Sequence, residues 1–122
     1  LVAEDSDGVR NLIRQVLSRR HGTVLEARTG EEALAVAAGH AGPIHLLVTD
    51  VVMPGMGGRQ MADRLTALRP EMGVLFISGH TDDAAIARGA LQASIDFIPK
   101  PFGPLELEQK VNEILRRRRP AA

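Results

Sequence analysis

Residues 46–55 read LLVTDVVMPG and decide the fold of this chain. The apolar run before Asp50 is typical of a strand buried on both faces, because its alternating side chains are apolar on either side. Pro54 and Gly55 then end regular structure, which places Asp50 at the tip of that strand. Asp50 is either a turn residue that hydrogen-bonds the local backbone or a residue that carries chemistry. The positions of the other polar residues distinguish these two interpretations of Asp50.

Strand patterns and one-sided helical patterns alternate along the whole chain. The helix-start signals include Ser6 or Asp7, the capping box of Thr29 with Glu32, and Pro104 in the first turn of a last helix. A third helix has its apolar stripe at Met61, Ala62, Leu65 and Leu68, and an alanine-rich fourth is predicted over residues 82–92 after Thr81. The predicted strands cover residues 1–3, 23–27, 46–50, 74–77 and 95–98.

This alternation predicts an α/β fold: a doubly wound, flavodoxin-like parallel sheet of five strands in the order 2-1-3-4-5, with helices on both faces. Ligands bind such sheets beyond the carboxyl ends of the strands. Glu4 and Asp5 follow strand one, Asp50 ends strand three, Ser78 ends strand four and Lys100 follows strand five. We therefore expect these five side chains to meet at one edge of the sheet.

The residue types at that edge favour phosphoryl chemistry. Three carboxylates repel one another unless a cation joins them, and oxygen ligands without His or Cys suit Mg²⁺ before Mn²⁺ or Ca²⁺. The Lys100 ammonium and the Ser78 hydroxyl could surround the oxygens of a phosphoryl group carried by Asp50. Such a site transfers phosphoryl groups by position and charge neutralisation, with a carboxylate as the nucleophile.

Length and composition fit one domain. The chain has 122 residues, of which 44% are hydrophobic, enough for a proper core. Its 15 basic and 15 acidic residues balance, so no overall field predicts binding to nucleic acid or to a membrane surface. Without cysteine a reducing compartment is permitted, and the cytoplasm is the expected location, although a parent chain could be membrane-anchored. The chain begins at Leu1 inside an apolar segment, and we expect more protein to precede it.

Four motifs together carry a family resemblance. They are Glu4-Asp5, Asp50 followed by Val51-Val52-Met53-Pro54-Gly55, Ser78-Gly79, and Lys100-Pro101-Phe102. In this order and on these strands, the set resembles the receiver domain of two-component response regulators. The resemblance covers residues 1–119 and leaves 120–122 as a tail.

The resemblance implies a role for each residue of the site. Asp50 would accept a phosphoryl group from phosphohistidine, and Ser78 and Lys100 would contact its oxygens. Asp5, Asp50 and the backbone carbonyl of Val52 would bind Mg²⁺, with Mn²⁺ as a possible substitute, and Glu4 would act through water. The domain would catalyse its own phosphorylation and dephosphorylation without being a turnover enzyme.

The resemblance also implies a switch and a docking surface. Ser78 and Phe97 would be the switch residues, altering the face formed by the fourth helix, strand five and the last helix. The Lys100-Pro101 bond is expected to be cis. The phosphodonor, a kinase dimerisation domain or a histidine phosphotransfer protein, would dock near Ser6, Val9 and Leu12.

The motifs are most similar to receivers at the C-terminal end of hybrid histidine kinases, and the short tail after Pro120 agrees with that context. A stand-alone response regulator would look much the same. A phosphatase with Asp50 as a transient nucleophile is a weaker alternative, because haloacid-dehalogenase-like enzymes carry a second acid where this chain has Val52. Residues 53–58 are expected to form a flexible loop, and Arg116–Arg119 a solvated helix end rather than a nucleic-acid site.

Overall fold

Five parallel strands form one sheet, in the order β2-β1-β3-β4-β5, in the computed structural model of the chain. The structure describes residues 1–51, 55–78 and 96–118. The predicted strand order is confirmed, whereas the helix predicted over 82–92 and its cap Thr81 lie outside the described residues. The strands are β1 Val2–Ala3, β2 Glu26–Ala27, β3 Leu46–Asp50, β4 Gly73–Ser78 and β5 Asp96–Pro99; the helices are α1 Asp7–His21, α2 Gly30–Gly39, α3 Gly58–Leu68 and the last helix Pro104–Arg118.

Helix α2 begins at the predicted cap Thr29, and of the two candidates for α1, Ser6 and Asp7, the cap is Ser6. The Ser6 side chain accepts a hydrogen bond from the Val9 amide, and Thr29 Oγ1 accepts one from the Glu32 amide at 3.1 Å. Each bond satisfies an amide that has no partner within its own helix. Gly22 ends α1 with a φ of 75°, a backbone conformation that residues with a side chain rarely adopt.

Two apolar clusters cover the two faces of the sheet. Because side chains alternate along a strand, Leu47 and Phe76 enter one cluster, whereas Val48, Leu75 and their like-facing neighbours enter the other. Helices α2 and α3 close the first cluster and α1 with the last helix close the second, so the prediction of helices on both faces is confirmed. The helical residues involved are Ala33, Ala37, Met61, Ala62 and Leu65 in the first, and Ile13, Val16, Leu17, Leu107, Val111 and Ile114 in the second.

The sequence interpretation is wrong about Leu68 and about the length of β2. Leu68, expected on the buried stripe of α3, is 76% exposed, and the core contact at this end of the helix comes from the fully buried Met72. Strand β2 is also shorter than predicted, because β1 offers only Val2 and Ala3 as pairing partners.

Arg69, directly after α3, hydrogen-bonds the backbone at the C-terminal end of α2. Its guanidinium donates to the carbonyl oxygens of Ala37, His40 and Gly42 at 3.0–3.1 Å. These bonds satisfy carbonyls where α2 ends and the loop to β3 begins. One side chain therefore joins the two helices that cover the same face of the sheet.

Candidate functional site

Three carboxylates lie together at the carboxyl edge of the sheet. Strands β1 and β3 pair with Ala3 opposite Thr49, so the next residues, Glu4 and Asp50, are also adjacent. Glu4, Asp5 and Asp50 each offer an oxygen within 4.8 Å of the other two. Glu4 is 0% exposed and Asp50 is 5% exposed, whereas Asp5 faces solvent. The sheet thus buries two acids and leaves one at the opening.

Lys100 brings a positive charge to the two buried acids. Its Nζ lies 3.0 Å from Glu4 Oε1 and 3.4 Å from Asp50 Oδ1, and its side chain is 28% exposed. Strand β5 sets this position, since Pro99 pairs with Ser78 and Lys100 follows immediately. The Lys100-Pro101 peptide bond is cis, as the family resemblance implied.

The acidic cluster fits a hard divalent cation. Lys100 pairs with two of the three carboxylates, Glu4 and Asp50, and the three acids lie so close together that their negative charges repel, which a bound cation would offset. Glu4 Oε2 is buried and has no hydrogen-bond partner among the described residues, an arrangement that is costly for a polar atom. The donors are oxygens only, the set that Mg²⁺ prefers. The residues present therefore fit Mg²⁺.

Arg10 supports the acidic pair, a role that the sequence analysis missed. From the first turns of α1, its guanidinium donates to the Glu4 carbonyl oxygen at 2.9 Å and lies 3.5 Å from Glu26 Oε1 in β2. It also hydrogen-bonds the Asp7 carboxylate, which lowers the pKa of Asp7. In the sequence, the one signal for this role is that Arg10 lies in the first turns of the predicted helix. A hydrogen bond from a side chain to a backbone carbonyl produces no periodic pattern of residue types, so the contact itself could not be predicted.

Gly58 brings the start of α3 against the backbone of Asp50. A Cβ on Gly58 would lie 1.7 Å from the Asp50 carbonyl oxygen, and the Gly58 amide donates to the Val51 carbonyl at 2.9 Å. The prediction of a flexible loop over residues 53–58 is therefore wrong at its last residue. Gly57 is the N-cap of α3, and Gly58 is the first residue of that helix. The consecutive glycines were the available signal for this close approach.

The remaining predicted site residues are described in part. Ser78 ends β4 beside Pro99, but its side chain and the whole of Val52 lie outside the described part of the chain. Phe97 is half-buried against the core cluster that α2 and α3 close. Val9 and Leu12 are half-buried on α1, and Ser6 is exposed.

The chain belongs to the response regulator receiver domain family, whose model matches residues 1–112. It is 36% identical over 117 residues to the sensor kinase CckA of Brucella abortus, covering 96% of this chain and 12% of that protein. It is 32% identical to the response regulator GtcR of Aneurinibacillus migulanus, covering 96% of this chain and 47% of that protein. Related proteins thus include both a kinase and a response regulator, and this chain spans less than half the length of either.

Solved structures agree with the family assignment. The receiver domain of the hybrid histidine kinase CckA superposes with a TM-score of 0.75 at 34% identity, covering 93% of this chain and 95% of that one. NtrX from Brucella abortus superposes with a TM-score of 0.82 at 26% identity, covering 96% of this chain and 26% of that one.

Membership places the chain in two-component signalling, where a receiver domain has a phosphodonor kinase as its partner. Receiver domains generally bind Mg²⁺, in agreement with the acidic cluster of Glu4, Asp5 and Asp50. Among the described helices, none has the length and apolar character required to cross a bilayer.

Proposed function

We propose that this domain accepts a phosphoryl group on Asp50 from a phosphohistidine, in a step that depends on Mg²⁺. The observation that carries the proposal is the meeting of Asp50 with Glu4, Asp5 and Lys100 at one sheet edge, with Lys100 Nζ 3.4 Å from Asp50 Oδ1. A turn-forming aspartate would need none of these neighbours. Catalysis would rest on positioning and charge neutralisation.

The transfer balances as a simple displacement. A carboxylate oxygen of Asp50 attacks phosphorus, the bond between phosphorus and the donor imidazole nitrogen breaks, and its electron pair stays on that nitrogen. The product is an acyl phosphate on Asp50, which water later hydrolyses. Lys100, and Ser78 through its hydroxyl, would hold the phosphoryl oxygens, while Asp5, Asp50 and the Val52 carbonyl would hold Mg²⁺ directly and Glu4 through water. Bound Mg²⁺, or Mn²⁺ in its place, would supply positive charge that offsets the phosphoryl charge.

The phosphorylated domain would signal through a two-state switch. Ser78 and Phe97 would bias the face formed by the predicted fourth helix, β5 and the last helix. The half-buried position of Phe97 supports this, because a partly exposed ring has room to change rotamer. Hydrogen exchange over residues 96–118 should change on phosphorylation; identical exchange in the two forms would rule out this switch.

The phosphodonor would dock beside the acidic pair. Ser6, Val9 and Leu12 lie at the start of α1, directly after Glu4 and Asp5, and are partly or fully exposed. A kinase dimerisation domain or a histidine phosphotransfer protein would bind there through apolar contacts. Normal transfer to a folded variant carrying both Val9→Asp and Leu12→Asp would argue against this surface.

We further propose that the domain is the receiver of a hybrid histidine kinase. The similarity to CckA, at 36% identity in sequence and 34% in the solved receiver, supports this context. A stand-alone single-domain response regulator is the alternative; GtcR, a response regulator 32% identical to this chain, is itself longer, because this chain covers 47% of it. The coding sequence around this stretch decides between them, since a kinase core upstream is expected and its absence would favour the alternative.

Intact-mass measurement tests the phosphoacceptor directly. The chain is incubated with a small phosphodonor, such as acetyl phosphate, with Mg²⁺ and in parallel with a chelator. We expect a gain of one phosphoryl group with Mg²⁺, little gain with the chelator, and none in Asp50→Asn. An unchanged parent mass, or an equal gain in Asp50→Asn, would contradict the proposal.

A further inference from the structure

One arginine holds the turn that carries Asp5. Arg10, in the first turns of α1, donates from Nη1 to the Glu4 carbonyl oxygen at 2.9 Å, and its Nη2 hydrogen-bonds the Asp7 carboxylate. Glu4 directly precedes Asp5, and Asp7 is the first residue of α1. A single guanidinium therefore bonds the chain on both sides of Asp5. Because a guanidinium is planar and rigid, its donors restrain the distance between the two groups that they bond.

The bond to Glu4 restrains the peptide unit that leads into Asp5. The Glu4 amide donates to the Ala27 carbonyl oxygen at 3.0 Å, and the Glu4 carboxylate pairs with Lys100 at 3.0 Å. Arg10 bonds the third polar group of Glu4, its carbonyl oxygen. Since the peptide unit is planar, an anchored carbonyl also sets the direction of the Asp5 amide. The backbone leading into Asp5 is thereby restrained, although the Asp5 side chain faces solvent.

Arg10 is itself held in place by the neighbouring strand. Its side chain is only 12% exposed, and its Nε lies 3.5 Å from Glu26 Oε1. Glu26 is in β2, which pairs with β1 through Val2 and Ala3. With partners for all three nitrogens, the guanidinium has a defined orientation. One side chain thus joins β2, the end of β1 and the start of α1.

We infer that Arg10 is a positioning residue for the Mg²⁺ site, because it holds the turn from which Asp5 reaches the cation. The inference rests on the proposed function, in which Asp5 is a metal ligand. An oxygen of Asp5 lies within 4.8 Å of oxygens of Glu4 and Asp50. Arg10 makes no contact with the metal in this account. Without its bonds, the turn has to be ordered each time the metal binds, which costs conformational entropy.

The charge of Arg10 and its positioning role act in opposite directions on Mg²⁺ binding. The guanidinium is positive and lies beside the acidic cluster, so its charge alone disfavours a bound cation. If charge were its only effect, Arg10→Met would tighten Mg²⁺ binding. Loss of the two bonds around Asp5 would instead weaken it. The sign of the change in affinity therefore distinguishes the two roles.

The experiment compares Arg10→Met and Arg10→Lys with Arg14→Met. Arg14 is the matched control: it lies one turn further along α1 and pairs with the same carboxylate, Glu26, at 3.8 Å. Within the described part of the chain, its other polar contact is Asn11 rather than the turn around Asp5. Mg²⁺ affinity is measured from backbone amide shifts in an NMR titration, and relaxation of the Asp5 amide reports the order of the turn. Circular dichroism confirms that each variant is folded.

We expect Arg10→Met to weaken Mg²⁺ binding by roughly fivefold, which corresponds to about 1 kcal/mol, the size of one hydrogen bond. The Asp5 amide should become more mobile in the same variant. Arg10→Lys keeps the charge and one donor nitrogen, so its loss should be smaller, about twofold. Arg14→Met should bind Mg²⁺ at least as tightly as the parent, because it loses a positive charge and no bond to the turn.

Three results would overturn the inference. The first is an Arg10→Met variant that binds Mg²⁺ as tightly as the parent or more tightly; if that variant does not fold, an Arg10→Lys variant with the parent's affinity has the same meaning. The second is an equal loss in Arg14→Met, which would assign the effect to the shared pairing with Glu26. The third is a parent chain that binds no Mg²⁺, in which case the proposed function fails as well; the first two leave that function intact.

Discussion

At the scale of single residues, the pairing of Lys100 with Glu4 and Asp50 dominates the site. A carboxylate with no exposed surface, such as Glu4, is costly without a neighbouring cation, and Lys100 supplies one at 3.0 Å. The same ammonium lies 3.4 Å from Asp50. One lysine therefore stabilises the unphosphorylated site and is positioned for the proposed phosphoryl group.

Replacing Lys100 by Met tests that stabilising role. Met keeps most of the apolar stem and removes the charge, so Glu4 is left buried without its cation. We expect the free energy of unfolding, measured by urea denaturation in the presence of a chelator, to fall by about 2 to 3 kcal/mol. Lys110→Met, on the last helix, is the control and should change it by less than about 0.5 kcal/mol. Equal stability of the two variants would contradict the assigned role.

Asp5 differs from the two buried acids because it is exposed. Removing its charge should relieve part of the repulsion among the three acids in the metal-free form and weaken the Mg²⁺ site. We expect Asp5→Asn to be at least as stable as the parent when both are unfolded in chelator. The stabilisation that the parent gains from Mg²⁺ should largely disappear in this variant. If Mg²⁺ stabilised Asp5→Asn as much as the parent, Asp5 would not be a ligand.

At the scale of elements, the site depends on how α3 begins against the end of β3. Gly58 has no side chain, so the helix can start next to the Asp50 carbonyl oxygen. Its backbone amide donates a hydrogen bond to the Val51 carbonyl oxygen. Arg10 from α1 and Glu31 from α2 hold the neighbouring segments. The segments that follow β1 and β3 are thereby each bonded to a helix side chain.

A methyl group at Gly58 should disturb this junction. Since its Cβ would lie 1.7 Å from the Asp50 carbonyl oxygen, α3 or the strand end has to move. We expect Gly58→Ala to lower the free energy of unfolding by about 2 to 4 kcal/mol and to slow phosphorylation of the folded fraction.

Gly8→Ala is the matched control for that substitution. Gly8 also lies in the first turn of a helix, and a Cβ there has no heavy atom within 4 Å. Alanine should therefore be neutral or stabilise the chain by up to about 1 kcal/mol. A Gly58→Ala variant as stable as Gly8→Ala would refute the close approach.

At the scale of the whole molecule, the order of the strands is what turns scattered residues into a site. Glu4, Asp50 and Lys100 are far apart in the chain, yet parallel strands bring their carboxyl ends to one edge. This much was predictable from the sequence, because the alternation of apolar strands and one-sided helices restricts the topology. The two cap residues Ser6 and Thr29 were predictable for a similar reason, since caps act over three residues.

The contacts that refine the site were not predictable from a single sequence. The guanidinium of Arg10, the carboxylate of Glu31 and the guanidinium of Arg69 each bond backbone atoms whose position depends on the packed fold. The exposure of Leu68 has the same origin, because helical periodicity does not say where the neighbouring core ends. Local sequence patterns thus determine which helices and strands form. Tertiary packing determines which long polar side chains hydrogen-bond the backbone between them.

Chemical trapping of the phosphorylated residue tests the central claim most directly. The chain is phosphorylated by a small donor with Mg²⁺ and reduced with borohydride, which converts an aspartyl phosphate to homoserine, and the product is digested and sequenced by mass spectrometry. We predict homoserine at position 50, formed only when donor and Mg²⁺ are both present. Homoserine at another aspartate, or none in a chain that has gained a phosphoryl group, would contradict the assignment of Asp50 as the phosphoacceptor.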